Sequence, residues 1–243
     1  MKIQQYKNIV LVGSTSEIGS AILKELKLSS EANVYYVGRI KPEPQVIFGH
    51  KGCNKFIYCD FEDINSSKQA INKLIKTNEI DLLILAAGYL PDENSEFILK
   101  NIIKSSTINT ISPALFLVAV AEKMMRSGSG DILVVSSVAS IRPRIRNFTY
   151  GSSKAAIDFF SIGLANKLLK AGVFVCILRP GYVHTKMTVN FKPAPFAITP
   201  EEVGKITAGG LHRRKRIIYA PKKLRYIMKI IEVLPRFVFK FIE

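Results

Sequence analysis

The chain of 243 residues is 48% hydrophobic, an ordinarily globular composition that suits one sizeable core and a single domain. Its 35 Lys and Arg against 19 Asp and Glu give a formal net charge of +16, which implies an anionic partner or surface. Three cysteines without a CxxC (Cys53, Cys59, Cys176) and three scattered histidines exclude a disulfide framework and argue against a metal site, leaving thiols suited to a reducing cytosol.

Residues 1–8 carry Lys2 and Lys7 but no apolar stretch of a signal peptide, and no run approaches the roughly 20 apolar residues that span a bilayer. Asn8 to Val12 (NIVLV) reads as a first strand, and Gly13 to Gly19 (GSTSEIG) follows it. From Ile18 to Leu28 the apolar residues Ile18, Ala21, Ile22 and Leu26 recur at helical spacing. Strand, glycine turn and helix in that order present backbone N–H groups and the positive end of a helix to a pyrophosphate. Gly13, Ser14, Thr15, Ser16, Ile18 and Gly19 are therefore candidate binding residues. Strand-like runs follow at Val34–Val37, Phe56–Cys59 and Leu82–Ala86, separated by helical or loop segments. Gly38-Arg39 ends the second strand, where an acidic residue would accept hydrogen bonds from the ribose 2′-hydroxyl of NAD. Arg39 there can instead pair with the 2′-phosphate of NADP, an exposed loop arginine being the plainer alternative.

A long helical stretch from Phe97 to Arg126 leads to a central strand, Ile132 to Val135. Next come a helix from Tyr150 to Lys170 and a strand, Phe174–Leu178, that ends in Arg179, Pro180 and Gly181. Thr199-Pro200-Glu201-Glu202 is a capping box with proline at the first helical position, starting a helix that reaches about Leu211. A last strand lies at Ile217–Ala220. The alternation predicts an α/β fold, a Rossmann-type doubly wound parallel sheet forming a single domain over 1–223. An amphipathic helical tail occupies 224–243.

The stretch Gly130 to Lys154 (GDILVVSSVASIRPRIRNFTYGSSK) organises the rest. Its strand delivers the hydroxyls of Ser136 and Ser137, and the following helix opens with Tyr150 and Lys154, four residues apart and so on one face. A phenol has a reference pKa of about 10, and an adjacent cation favours phenolate, so Lys154 is expected to pull Tyr150 down toward working pH. Tyr150 beside Ser137 could then protonate a carbonyl oxygen as hydride reaches its carbon.

Ser137, Tyr150 thirteen residues later and YGSSK ending at Lys154 resemble the active site of the short-chain dehydrogenase/reductase family. The resemblance implies that Tyr150 is the general acid, that Lys154 lowers its pKa and holds the nicotinamide ribose, and that Ser137 bonds the carbonyl oxygen. It gives Asn109 the role of anchoring a water that relays protons to the lysine. It implies adenine contacts at Asp60 and Phe61, and cofactor contacts at Ala87 and Gly88, where Ala86-Ala87-Gly88 stands for the family's Asn-Ala-Gly. Pro180, Gly181, Val183 and Thr185 correspond to the segment covering the nicotinamide. The cofactor implied is NADP, with NAD the alternative. The glycine turn departs from the family in having Glu17 at its middle glycine. A carboxylate there is unfavourable beside a pyrophosphate unless it points away, though it suits the macrodipole of a first helical turn.

The phrases GSTSEIG, RNFTYGSSK, RPGYVHTKM and APKKLRYIM…LPRFVF resemble more narrowly the decaprenylphosphoryl-2-keto-pentose reductases, the reductase component of decaprenylphosphoryl-ribose 2′-epimerase, in which Glu17 is shared. This implies hydride transfer to a keto sugar carried on a polyprenyl phosphate, the second half of an oxidation/reduction epimerisation in cell-envelope polysaccharide synthesis. A separate flavin oxidase would make the keto sugar.

The tail suits a lipid-linked substrate independently. Leu224 to Leu234 forms a helix with a broad apolar face opposite Arg225, Lys229 and Glu232, and Pro235 breaks it. Arg236 to Ile242 adds aromatics beside cations, and Arg213 to Arg216, Lys222 and Lys223 lie upstream. Such a segment suits the anionic leaflet of a membrane, here the cytoplasmic face of the inner membrane, whereas packing on the core or on a second subunit of a homo-oligomer is the alternative. Arg142, Arg144 and Arg146, between the serine and the tyrosine, are candidate ligands of the lipid phosphate, a solvated basic loop being the alternative. Rival functions are reduction of another ketone (a 3-ketoacyl group on a carrier protein, a steroid or a retinoid) and a non-enzymatic dinucleotide sensor that uses its charge on nucleic acid. The sensor has no need of four catalytic side chains, and no DNA-reading motif is visible.

Overall fold

Alternating apolar residues in short β-branched runs build a sheet buried on both faces. In the computed structural model, which describes residues 6–26, 28, 31–42, 54–76, 79–92 and 98–239, seven parallel strands lie in the order β3-β2-β1-β4-β5-β6-β7. They are β1 Asn8–Val12, β2 Asn33–Gly38, β3 Asn54–Tyr58, β4 Leu82–Leu85, β5 Gly130–Val135, β6 Val173–Pro180 and β7 Ile217–Ala220. Lys2, Cys53, Phe97, Lys240, Phe241 and Ile242 lie outside the described residues. Val10, Val12, Leu83, Leu85, Ile132 and Val134 face one layer, and their neighbours Ile9, Leu11, Leu82, Ile84, Leu133 and Val135 face the other. This period of two on every central strand is what a sheet covered on both sides requires.

The first layer holds α2 (Ile64–Ile75), α4 (Ser112–Ser127) and α5 (Phe148–Leu168), and the second holds α1 (Glu17–Glu25) and α6 (Pro200–His212). Helix α6 starts at the predicted capping box: Thr199 Oγ1 accepts the Glu202 N–H, and the Glu202 carboxylate accepts the Thr199 N–H at 2.9 Å. Phe116, Leu117, Val120 and Met124 form the buried stripe of α4, and truncating a fully buried Phe116 to alanine would cost roughly 3–5 kcal/mol.

The predicted continuous helix from Phe97 to Arg126 is interrupted. Helix α3 (Ile98–Ser106) passes through a π-helical turn, Thr107–Ile111, before α4 begins, and Asn109 lies in that turn. By length and composition 99–127 would suffice to cross a membrane, contrary to the sequence expectation, but its inner stripe packs on the sheet. The tail continues the fold as α7 (Leu224–Val233) and the short α8 (Arg236–Phe239).

Candidate active site

Strand order reverses between β1 and β4, and chains leaving their carboxyl ends diverge to open a cleft there, as in doubly wound sheets generally. The cavity has a volume of about 750 Å³, within the range of cofactor sites. Gly13 opens the turn with φ +101°, and a Cβ there would lie 2.7 Å from the Ala87 nitrogen, so only glycine fits. Gly13 and Ser14 donate their N–H groups to the Val37 carbonyl (2.9 and 3.0 Å), and the Ser14 hydroxyl donates to the Ile40 carbonyl at 2.7 Å. These bonds tie the glycine turn to the end of β2, where the exposed Arg39 lines the cleft. Ser16 caps α1 by accepting the Gly19 N–H at 3.1 Å, which leaves the Glu17 and Ile18 amides with no partner inside the helix. Thr15, Ser16 and Ile18 line the cavity. Gly19 does not; it is buried, and a Cβ there would meet Leu11 Cδ1 at 2.6 Å, so its contribution is close helix–sheet packing. Glu17 lines the cavity, and its carboxylate accepts the Lys186 N–H at 2.7 Å, joining the glycine turn to the segment after β6.

Asp60, Phe61, Ala87 and Gly88 also line the cavity. Pro180, Gly181, Val183 and Thr185 form the opposite wall, which continues through Met187 and Thr188. Thr188 organises that wall, its hydroxyl donating to the Val183 carbonyl at 2.6 Å and accepting the Thr185 N–H at 3.1 Å.

Ser137, Tyr150 and Lys154 meet in the same cavity. Ser137 leaves β5 in an extended conformation and caps a 3-10 turn, its hydroxyl accepting the Ala139 N–H at 3.1 Å. Tyr150 and Lys154 lie one turn apart on α5, with Nζ 5.9 Å from the phenol ring centre. Lys154 is 4% exposed and donates to the Val135 carbonyl at 3.0 Å. The expected depression of the phenol is corrected here. Burial pushes Tyr150 up to about 12, the Ser137 hydrogen bond opposing it, and burial pushes Lys154 down to about 8, with the Asp158 charge opposing. Desolvation is the largest influence on both groups. The Asn109 side chain is fully engaged: Oδ1 accepts the Tyr89 N–H at 2.7 Å, and Nδ2 lies 2.8 Å from the Tyr89 carbonyl and 2.9 Å from Ser153 Oγ. It pins the π turn against β4's exit and α5, beside Gly88 and Lys154 Nζ.

Asp158, one further turn along α5 from Lys154, was not singled out in the sequence. It is buried, takes a bidentate pair from Arg179 (2.9 and 2.7 Å), and accepts the hydroxyls of Ser136 (2.7 Å) and Ser140 (3.2 Å). Arg179 also donates to Tyr219 Oη at 2.8 Å. One carboxylate thus ties the serine turn, the catalytic helix and the strand leading into Pro180-Gly181. The spacing Lys154–Asp158, i to i+4, was the only sequence hint.

Arg142 is spent elsewhere than on a phosphate. Its Nη1 donates to the Ile231 and Leu234 carbonyls (2.6 and 2.7 Å) at the end of α7, and its guanidinium stacks 4.3 Å from the Phe239 ring centre. The arginine closes a helix C-terminus, where unpaired carbonyls and the negative dipole end favour a cation. Arg144 is half-buried and engaged in a contact of its own; the Arg146 side chain lies outside the described residues. Cys59 and Cys176 are buried free thiols. Among the described residues no group of three or more His, Cys, Asp or Glu side chains could hold a metal ion.

Comparison with known proteins matches this geometry. The profile of the short chain dehydrogenase family covers residues 7–195. An uncharacterized oxidoreductase of Mycobacterium tuberculosis is 35% identical over 183 residues, 74% of each chain. Among solved structures, a short-chain dehydrogenase from Sphingobium yanoikuyae in complex with NADPH superposes with a TM-score of 0.78 at 20% identity, covering 94% of this chain and 96% of that one. The 3-oxoacyl-[acyl-carrier protein] reductase from Brucella melitensis in complex with NAD gives 0.73 at 23% identity, covering 89% and 96%. With its parallel seven-stranded sheet, its cleft at the β1–β4 switch and a serine, tyrosine and lysine gathered there, the chain belongs to the short-chain dehydrogenase family and is an NAD(P)-dependent oxidoreductase.

Proposed function

We propose that the protein reduces, with NADPH, a keto group on a sugar carried by a polyprenyl phosphate, completing an epimerisation begun by a separate flavin oxidase. The cleft fits a dinucleotide: the Glu17 and Ile18 amides would hold the pyrophosphate, Arg39 the 2′-phosphate of NADP, Asp60 and Phe61 the adenine, and Tyr150 with Lys154 the nicotinamide ribose. Binding of NADPH to the related Sphingobium enzyme supports the same choice. NADPH, when bound, would supply the hydride for the carbonyl carbon. Tyr150, kept protonated by burial, donates its proton to the carbonyl oxygen that Ser137 orients. Lys154, an ammonium below about pH 8, stabilises the phenolate left behind until solvent returns the proton.

The observation that carries the lipid-linked reading is the cleft's mouth. Met187, which lines the cavity, and Val189, Phe191 and Phe196 after it are exposed in a segment (181–199) with two lysines and no acid, and Lys223 of the tail packs on Phe196. The resemblance in four phrases, Glu17 included, points the same way. On this reading the enzyme works at the cytoplasmic face of the inner membrane. Reduction of a 3-ketoacyl group on an acidic carrier protein is the second reading, favoured by the +16 charge and by the likeness to the Brucella reductase. Dinucleotide oxidation with a polyprenyl-phospho-2-keto-pentose, a 3-ketoacyl carrier protein and a steroid ketone separates them. The lipid-linked sugar should be turned over with NADPH, and Tyr150→Phe should slow it by roughly 10²–10⁴. Turnover confined to the carrier-bound ketone would overturn the assignment.

A further inference from the structure

The tail has two apolar faces, and only one is used by the body. Leu224 and Met228 are buried, whereas Tyr226, Ile230 and Val233 recur at i, i+4 and i+7 on the outside of α7 at 69%, 61% and 79% exposure. Phe237 follows on α8 at 70%. A solvated helix places charges on its outer face, so a row of large apolar residues there needs a partner. Two contacts fasten the tail to the body. Lys223 Nζ stacks 3.5 Å from the Phe196 ring centre, joining the tail to the cleft wall, and Arg142 closes α7 from the loop between the catalytic serine and tyrosine. The tail, the wall and that loop therefore form one surface around the mouth.

Its charge names the partner. Residues 221–239 hold five Lys and Arg against a single acid, Glu232, while 181–199 hold two lysines and 138–149 three arginines, with no acid in either. Arg225, Lys229, Lys222 and Lys223 are exposed beside the apolar row. Aromatic and aliphatic side chains bordered by cations match the interface of an anionic bilayer, where the apolar groups enter the headgroup boundary and the cations meet lipid phosphates. A docking site for a carrier protein would keep the cations without needing the apolar row.

We propose, on the strength of the lipid-linked reading above, that the outer face of α7–α8 together with the cleft wall at 187–196 docks on an anionic phospholipid bilayer. The mouth of the cleft then rests on the membrane, and a lipid-borne ketone reaches Tyr150 while its chain stays in the bilayer.

Flotation of the full chain with phosphatidylcholine vesicles, with and without anionic phosphatidylglycerol, tests this. The protein should float only with the anionic vesicles and be released by high salt. Lys222→Ala and Lys229→Ala should each weaken binding about fivefold, the change equivalent to about 1 kcal/mol per interfacial cation. Ile230→Asp/Val233→Asp, at two exposed positions, should weaken it at least about tenfold while leaving reduction of a soluble ketone unchanged. Equal flotation of that variant, absence of wild-type flotation, or apolar-face variants that abolish only self-association would each overturn the proposal. The outcomes separate from those on the substrate. Turnover of detergent-dispersed lipid-linked sugar without vesicle binding removes the docking surface alone, and vesicle binding without such turnover removes the substrate reading alone.

Discussion

Replacing Asp158 by asparagine should move the pH dependence of ketone reduction to lower pH. Below about pH 8 Lys154 is an ammonium even though burial opposes the charge, and the Asp158 carboxylate one turn away favours it. At a separation of about 6 Å, the spacing of side chains one turn apart, and an effective dielectric of about 20, a unit charge contributes roughly 3 kcal/mol, or about two pH units. The Arg179 guanidinium lies on the far side of the carboxylate and offsets roughly half of this. Asp158→Asn, which leaves the guanidinium in place, should therefore shift the alkaline fall in kcat/KM for reduction from about 8 toward about 6. At pH 8 the loss is about fiftyfold, and it nearly vanishes below about pH 6. Arg179→Gln, which leaves the carboxylate without its counter-charge, should shift the fall upward by about one unit, and the double variant should lie about one unit below wild type. Breaking a buried pair costs roughly 3–5 kcal/mol, so thermal unfolding is measured beside the profiles, and the double variant relieves the unpaired charge. A purely structural role would lower activity at every pH in all three. An inflection that stays near 8 in Asp158→Asn, or one that moves the same way in both single variants, refutes the coupling.

Lys154→Met should abolish reduction yet stabilise the fold. The folded pKa of about 8 lies below the 10.5 of an unburied lysine, so the native state resists the proton that the unfolded chain holds; the penalty is complete below about pH 8, and it disappears as pH rises to about 10.5. A gain of about 2–3 kcal/mol at pH 7 that is gone by about pH 11, read from denaturant melts, is expected; destabilisation at pH 7 would refute it. Glu17→Ala should raise the dissociation constant for NADPH about fivefold by freeing the Lys186 amide, while Glu17→Gln, which keeps the acceptor and removes the charge, should bind as well as wild type or better; the reverse order in a fluorescence titration contradicts the latch. Arg39→Ala should raise KM for NADPH about tenfold and leave that for NADH unchanged; an equal effect on both would make Arg39 a bystander.

Locally encoded features were legible in the sequence. Strands β1, β4 and β7 lie within a residue of their apolar runs; for β1 and β4 the reason is that a parallel strand buried on both faces has little freedom to shift. The Thr199 capping box and the Tyr150–Lys154 face are fixed by spacings of three and four residues. What escaped depends on distant partners. The π turn at Thr107–Ile111 has no sequence signature, since Asn109 gains its bonds from Tyr89 and Ser153 only after the sheet has formed. Arg142 read as a phosphate ligand because a loop arginine beside a pocket has the right chemistry, and only the folded tail, 89 residues on, supplies its carbonyls. The phenol was misjudged for a related reason: helical spacing reveals its cation, but the burial that dominates is a property of the assembled cleft.

These distant contacts divide the labour of the site. The family motif supplies reactive atoms, a phenol, an ammonium and a hydroxyl, none of which is positioned by the motif alone. Asn109 fixes the floor beside Lys154, Asp158 joins the serine turn to α5 and to Arg179, and Glu17 draws the wall at Lys186 over the glycine turn. Each bond spans two elements that would otherwise move separately, and catalysis by proximity is lost when groups drift by about 1 Å. Substitutions at these positions should therefore reduce turnover while every atom of the reacting set is retained, and conservative replacements that keep the bond should restore it. The tail extends the same logic outward, since Arg142 links the loop before Tyr150 to α7, the helix whose outer face carries the exposed Tyr226, Ile230 and Val233.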